Sequence, residues 1–244
     1  QRVSGNRYGV TLSSPNGTED AWPEDNELIV PFSATPAYRS PLIFLLKTNN
    51  QPEQTSWALR RSDGTVIKEV KAETLAADMA YHSILYLDPG CYSLSIVDTA
   101  GDGLEFWYNV MGGRGFVRLF DAAGMMVRNF ESDFGSSIRY SFLVTDDRRI
   151  IAQPAKEPAI GLFPTRTLGV TVMDYFSNTA ARVSVKILAD PGGEIVEEHE
   201  YPDLRSGSFT YDLASRGPQR YYLKVFVDDV QKFNKRIRVV EKIE

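Results

Sequence analysis

The run Pro89-Gly90-Cys91-Tyr92-Ser93-Leu94-Ser95-Ile96-Val97-Asp98-Thr99-Ala100-Gly101-Asp102-Gly103 decides how this chain is read. A Pro-Gly turn opens it. Tyr92, Leu94, Ile96 and Asp98 then alternate with Ser93, Ser95 and Val97, the period-two pattern of a half-buried strand. The strand leaves through Asp98 to Gly103. Two acids four residues apart, with glycines on both sides of the second, describe a tight loop rich in oxygen. Glycine permits the positive φ that such a loop needs, and clustered carboxylate and carbonyl oxygens suit a hard cation such as Ca²⁺. Asp98 and Asp102 are the candidate metal ligands. The plain alternative is an acidic turn closing a strand, because the distal glutamate of an EF-hand is missing.

Around this strand, one sentence is written three times. Val66 follows Trp57–Arg61 across Ser62-Asp63-Gly64-Thr65; Met125 follows Val117–Phe120 across Asp121-Ala122-Ala123-Gly124; Glu194 follows Val185–Leu188 across Asp190-Pro191-Gly192-Gly193. Each is an apolar alternating run broken by an Asp-to-Gly turn, the signature of a β-hairpin. Leu28–Phe32 reads as a strand, and the strongly apolar Pro41–Lys47 as a central one. One segment departs from the pattern: Ala72–Tyr81 has helix formers for two or three turns. No strand alternates with a long helix, so α/β folds are excluded.

Thr145–Pro158 is proline-bearing and charged, the composition of a domain boundary. The block after it holds about seven short apolar runs, enough for a small antiparallel sandwich. The expected architecture is all-β: two antiparallel β-sandwich domains, jelly-roll-like over 35–145 and immunoglobulin-like over 159–244, joined by a linker at 146–158. Residues 1–34 precede them as an N-terminal extension or the end strands of another immunoglobulin-like domain.

Over its 244 residues the chain carries a net charge of −5 and has no long basic run. That argues against nucleic acid as a partner, since phosphate binding needs clustered Lys and Arg. The local cluster Lys232, Lys235, Arg236 and Arg238 lies on an alternating strand and reads as solvated edge chemistry. No apolar run approaches the ~20 residues that span a bilayer, so no transmembrane segment is expected, and Gln1-Arg2-Val3 has no signal-peptide pattern. The single cysteine, Cys91, excludes an internal disulfide and reads as a small buried hydrophobe. His82 and His199 are far apart, with no zinc pair, nucleophile elbow or phosphate-cradling loop around them. No catalytic residue is assigned, and the chain is expected not to be an enzyme, although a parent protein could be one. Trp57, Phe106, Trp107 and Tyr108 could stack on sugar rings if they face solvent. Such rings more often pack a core.

Two stretches resemble known families. Trp57-Ala58-Leu59, Asp63-Gly64-Thr65-Val66, Pro89-Gly90-Cys91-Tyr92, Asp98 with Gly101-Asp102-Gly103, Leu119-Phe120-Asp121 with Gly124, and Phe134-Gly135-Ser136-Ser137 resemble an accessory β-sandwich of secreted Bacteroidetes proteins. That module often follows a zinc metallopeptidase domain. Where family members carry paired cysteines after Gly-Asp-Gly, this chain has Leu104-Glu105. Gly161-Leu162-Phe163-Pro164, Val183–Leu188 with Gly193-Glu194-Ile195-Val196, Thr210-Tyr211-Asp212-Leu213 and Tyr221-Tyr222-Leu223-Lys224-Val225 resemble a C-terminal sorting domain of the type IX secretion system. The usual Pro-Asn-Pro opening is here Pro164-Thr165-Arg166. These resemblances imply a non-catalytic C-terminal part of a secreted or outer-membrane cell-surface protein, with the secretion machinery as partner and calcium as an expected ion. An upstream catalytic domain or a surface glycan would be the further partner. The alternative is a carbohydrate-binding or adhesin module that uses Trp57, Trp107 and Tyr108.

Overall fold

A computed structural model describes residues 6–13, 17–18, 22, 26–32, 34–106, 112–149 and 153–241. The chain divides into two units, residues 1–36 and 37–244. The smaller is a ribbon of β1 (Asn6–Thr11) and β2 (Glu27–Phe32), paired antiparallel from Asn6–Phe32 to Thr11–Glu27. The consecutive residues Leu28, Ile29 and Val30 are all exposed, so apolar side chains stand on both of its faces. A two-stranded ribbon has little stability of its own.

The larger unit contains two bodies of stacked sheet. The first is built from β3 (Ala37–Tyr38), β4 (Leu42–Lys47), β5 (Thr55–Arg61), β6 (Val66–Val70), β7 (Ala80–Leu85), β8 (Gly90–Asp98), β9 (Phe116–Phe120), β10 (Met126–Asn129) and β11 (Ser137–Val144). One sheet runs β10-β9-β4-β7 and the other β3-β11-β8-β5-β6. Alternation decides what lies between them. Leu42, Phe44 and Leu46 point inward from β4, and Tyr92, Leu94 and Ile96 meet them from β8, with Trp57, Leu59, Val117, Leu119 and Phe142 closing the core. The Asp-to-Gly turns work by local hydrogen bonding: Asp63 Oδ1 accepts from the Thr65 N–H, and Asp121 Oδ1 accepts from the N–H groups of Ala123 and Met125. Asp121 therefore caps its own turn.

The helix expected over Ala72–Tyr81 does not form. A single 3-10 turn, Ala72–Thr74, is followed by a second turn at Ala77-Asp78, where Asp78 takes a positive φ of 53°, and then by β7. Helix formers there have no periodic apolar face to bury, and the backbone hydrogen-bonds instead to the end of β4: the Ala76 and Met79 carbonyls accept from Thr48, and the Asp78 N–H donates to the Asn49 carbonyl.

The second body is β12 (Ala159–Phe163), β13 (Arg166–Thr167), β14 (Val170–Asp190), β15 (Ile195–Asp212), β16 (Arg220–Val227) and β17 (Val230–Val239). The short apolar runs expected here are joined into longer strands. β14 and β15 are 21 and 18 residues long and pair along nearly their whole length. Register shifts between Phe176 and Val183 break the regular pairing, and on either side β14 serves different neighbours. Its first half pairs with β12 and its second half with β16. One strand thus contributes to both layers, and Leu162, Met173, Val185, Ile187, Tyr221, Leu223 and Ile237 fill the space between. β13 closes the edge by parallel pairing with β17.

The two bodies are packed together. The outer side of β4 and β9 presents Ile43, Leu45 and Phe120, and these meet Ala155, Ala159 and Phe176. Phe120 and Phe176 pack edge to face, with ring centroids 5.5 Å apart. Asn178 ties the seam: its Oδ1 accepts from the Met126 N–H at 2.7 Å, while Nδ2 donates to the carbonyls of Met126 and Ala155 at 2.8 and 3.0 Å.

Candidate functional site

The Asp98–Gly103 loop sits where β8 ends. Asp98 is 2% exposed. Its Oδ1 accepts from the backbone N–H groups of Gly101 and Asp102 at 2.7 and 3.2 Å, which wraps the loop around the carboxylate. Oδ2 has no hydrogen-bond partner among the described residues, and neither has Asp102 Oδ1. Thr55 stands directly across the strand pair from Asp98 and is fully buried. Cross-strand partners share one face of a sheet, and Thr55 Oγ1 is likewise unpartnered. Gln54, whose carbonyl accepts from the Thr99 N–H, adds a fourth buried and unsatisfied oxygen, Oε1. Leaving one such atom without a partner is costly; four at one corner is unusual. Burial pushes the Asp98 carboxyl up, the two backbone N–H bonds oppose that, and the neighbouring Asp102 charge adds to it. The loop is backed by the 132–136 segment: Leu104 N–H donates to the Ser132 carbonyl, and a Cβ on Gly103 would press on Ser132 and Phe134. No group of three or more His, Cys, Asp or Glu side chains forms among the described residues, so the donor set at this corner is two carboxylates plus neutral oxygens.

A second cluster, which the sequence did not flag, lies at the seam. Arg114 Nε donates to Glu105 at 2.6 Å, and its Nη1 donates to Asp174 of the second body. Gly161 of β12 lies beneath the guanidinium; a Cβ there would collide with it. All three charged side chains are largely buried. Burial pushes the Glu105 carboxyl up, and the Arg114 charge and hydrogen bond oppose it. Next to them Arg118, 6% exposed, lies over the Phe116 ring at 4.0 Å and over Phe176 at 5.3 Å. Burial, with the nearby Arg114 charge, lowers its pKa to about 10. The glycine-rich stretch before β9 reads from sequence as a bulged turn; only the opposing Asp174, sixty residues on, reveals what its arginine does.

The remaining candidates are dispersed. Trp57 is 3% exposed, with its ring 4.4 Å from that of Phe44 in the first core. It offers no face to a sugar. Trp107 and Tyr108 lie outside the described residues. Cys91, expected to be buried, is exposed: alternation puts Tyr92 in the core and turns Cys91 outward. It stands on the outer face of one sheet of the first body and His82 on the other sheet, so the two do not meet. His199 lies on β15 against Glu197 and the Tyr211 ring.

No family model matches the chain, and no curated protein is similar to it in sequence. Solved structures show distant likeness. A domain of a biofilm-associated protein is 8% identical, with a TM-score of 0.29 over 86% of this chain and 29% of that one. The β-glucuronidase of Faecalibacterium prausnitzii is 13% identical, with a TM-score of 0.27 over 97% of this chain and 46% of the enzyme. A β-1,2-glucanase from Parabacteroides distasonis is 10% identical, with a TM-score of 0.22 over 87% and 29%. The chain spans less than half the length of each. At this level of likeness the site's own chemistry has to carry any functional reading.

Removing Arg114 tests the seam. Arg114→Met leaves Glu105 and Asp174 facing a closed interface without their cation, a loss of about 3 kcal/mol. Its absence raises the Glu105 carboxyl further. Stability from that raised pKa is present in full below the unfolded value and fades as pH rises through the folded one. Thermal melts should therefore show the variant's deficit widening from acidic to neutral pH; a deficit independent of pH would refute the role given to Glu105.

Proposed function

We propose that this chain is a non-catalytic, carbohydrate-associated accessory segment of a larger secreted or cell-surface protein. The observation that carries this reading is how its buried ionisable groups are used. Glu105, Arg114, Arg118 and Asp174 join the two bodies, and Asp98 organises a loop. At the seam, burial with a structural partner accounts for the environment: in the cleft of about 120 Å³ that gathers Glu105, Glu131 and Asp133, Glu105 is held by Arg114 rather than left free to move a proton as hydrolysis would require. The exposed apolar faces of the β1–β2 ribbon fit the end strands of a further immunoglobulin-like domain. The full chain should be retarded in native gels cast with polysaccharide and should release no reducing sugar. Migration unaffected by every polysaccharide tried, or measurable turnover, would overturn the reading.

Calcium fits the loop corner. Asp98 and Asp102 would supply the charge, and Thr55, Gln54 and the loop carbonyls would supply neutral oxygens, the hard donor set this ion prefers. An ion bound only by the folded form at a hundredfold excess over its Kd adds about 2.7 kcal/mol. Millimolar Ca²⁺ should raise the melting midpoint by several degrees over a chelator, and Asp98→Asn should abolish the difference. Equal midpoints with and without Ca²⁺ would sink the assignment.

The second body is also proposed as the export address. Supporting this, the stretch that resembles a sorting domain, about 159–240, coincides with a sheet body that has its own core. A reporter followed by the whole chain should reach the medium or cell surface of a host with type IX machinery and stay inside a strain lacking it. Equal export by both strains would reject the proposal.

A further inference from the structure

The outer face of β16, β17 and β13 carries a row of arginines that the sequence keeps apart. Arg220 is the register partner of Arg238 on β17, and Arg238 is in turn the partner of Arg166 on β13. Arg236, two residues before Arg238, stands opposite Tyr222. Alternation sends all of these outward, because Tyr221, Leu223, Ile237 and Val239 between them are buried. Three guanidinium-bearing residues thus stand side by side on adjacent strands, ~4.8 Å apart in the hydrogen-bonding direction. Like charges directly opposite one another destabilise a sheet.

Their own neighbours do not neutralise them. None of the four side chains makes an ion pair or hydrogen bond among the described residues. The acid nearest in register, Asp190 opposite Arg220, makes no ion pair with it. With Thr165, the four arginines line a cleft of about 220 Å³. At one end the cleft shares Thr165 and Arg236 with a larger depression of about 510 Å³, also lined by Tyr222, Asn234, Lys235 and one acid, Asp133. At the other it shares Arg220 and Arg238 with a third, of about 360 Å³, whose lining includes one acid, Glu241; the acids stand at the two ends and the central cleft is lined by arginines alone besides Thr165. The result is a continuous trough with a central run of unspent planar donors and one half-buried aromatic ring.

We propose that this trough binds a linear acidic polysaccharide, with carboxylate or sulfate groups on Arg166, Arg220, Arg236 and Arg238 and a sugar ring against Tyr222. Guanidinium forks match carboxylate and sulfate oxygens in pairs, and a tyrosine ring beside them offers an apolar face to a pyranose. Three connected depressions suit successive units of a polymer better than a single small anion. The overall charge of −5 disfavours the dense, unbroken charge of a nucleic acid while leaving this local patch positive. The proposal deepens the carbohydrate-associated reading by naming a site and a ligand class.

The test is binding of the full chain, by calorimetry at low salt, to polygalacturonate and to dextran sulfate, with unmodified dextran and a single-stranded oligonucleotide as comparisons. The two acidic polymers separate carboxylate from sulfate recognition. At least one should bind, more weakly as salt rises, and more tightly than either comparison. Arg220→Ala with Arg238→Ala should weaken it at least about tenfold, while Lys71→Ala, on the far body, should leave it unchanged. All of these side chains are exposed and the arginines repel one another, so a melting midpoint no lower than the parent's will show that the variants fold. The proposal is overturned if neither acidic polymer binds, if the double variant binds as the parent does, or if the oligonucleotide binds more tightly. Retention of a neutral polysaccharide alone would overturn this site and leave the broader reading standing.

Discussion

A buried arginine between two carboxylates sets the form of the larger unit. Arg114 leaves the first body through a glycine-rich stretch, pairs with Glu105 beside it and reaches Asp174 on β14. Burying a charge is expensive unless it is paired and hydrogen-bonded, so this arrangement requires the second body to be in place. Apolar packing in the same seam, Phe120 on Phe176 with Ile43 and Leu45 in the cluster, joins the two bodies beside it. Gly161 leaves room for the guanidinium. The seam is therefore an interior with its own charge balance, and 37–244 acts as one compact unit although it contains two separate cores.

The same economy of partners separates three kinds of charged group in this chain. At the seam, opposite charges meet and are spent on each other. At the Asp98 loop, one carboxylate oxygen is satisfied by backbone N–H groups while several other buried oxygens are left over. On the outer face of β16, β17 and β13, positive charges stand together with no ion-pair partner among the described residues. The first arrangement is complete. The other two have donor or acceptor capacity of one sign left over, which is what the proposed hard cation and the proposed polyanion would take up.

Much of this was legible from local pattern. Alternation at Tyr92–Ile96 marks the core strand, and the three Asp-to-Gly turns mark hairpins. These features depend on residues within a few positions of each other, where backbone sterics and side-chain-to-backbone hydrogen bonds act directly. The pattern failed where the outcome depended on distant partners. Ala72–Tyr81 has helix formers, but only Ala80 and Tyr81 enter a strand, and Ala76, Asp78 and Met79 hydrogen-bond to Thr48 and Asn49. Cys91 was read as buried when its neighbour Tyr92 took the inward place. Trp57 was weighed as a sugar platform and lies in the core.

The charged clusters divide in the same way. Asp98 and Asp102 are four residues apart, so the sequence alone named them, whereas Thr55 and Gln54 joined them only through the β5–β8 register. Arg236 and Arg238 were visible as neighbours on one strand, but Arg166 and Arg220 come from other strands and made a face of what had looked like a solvated edge. By itself the sequence determined the all-β class, the hairpins and the oxygen-rich loop, because period-two alternation and turn chemistry are local. Which charges meet across the seam, and which are left unpaired on the surface, was decided by tertiary structure, because electrostatic partnership depends on distance in space and strand register sets that distance.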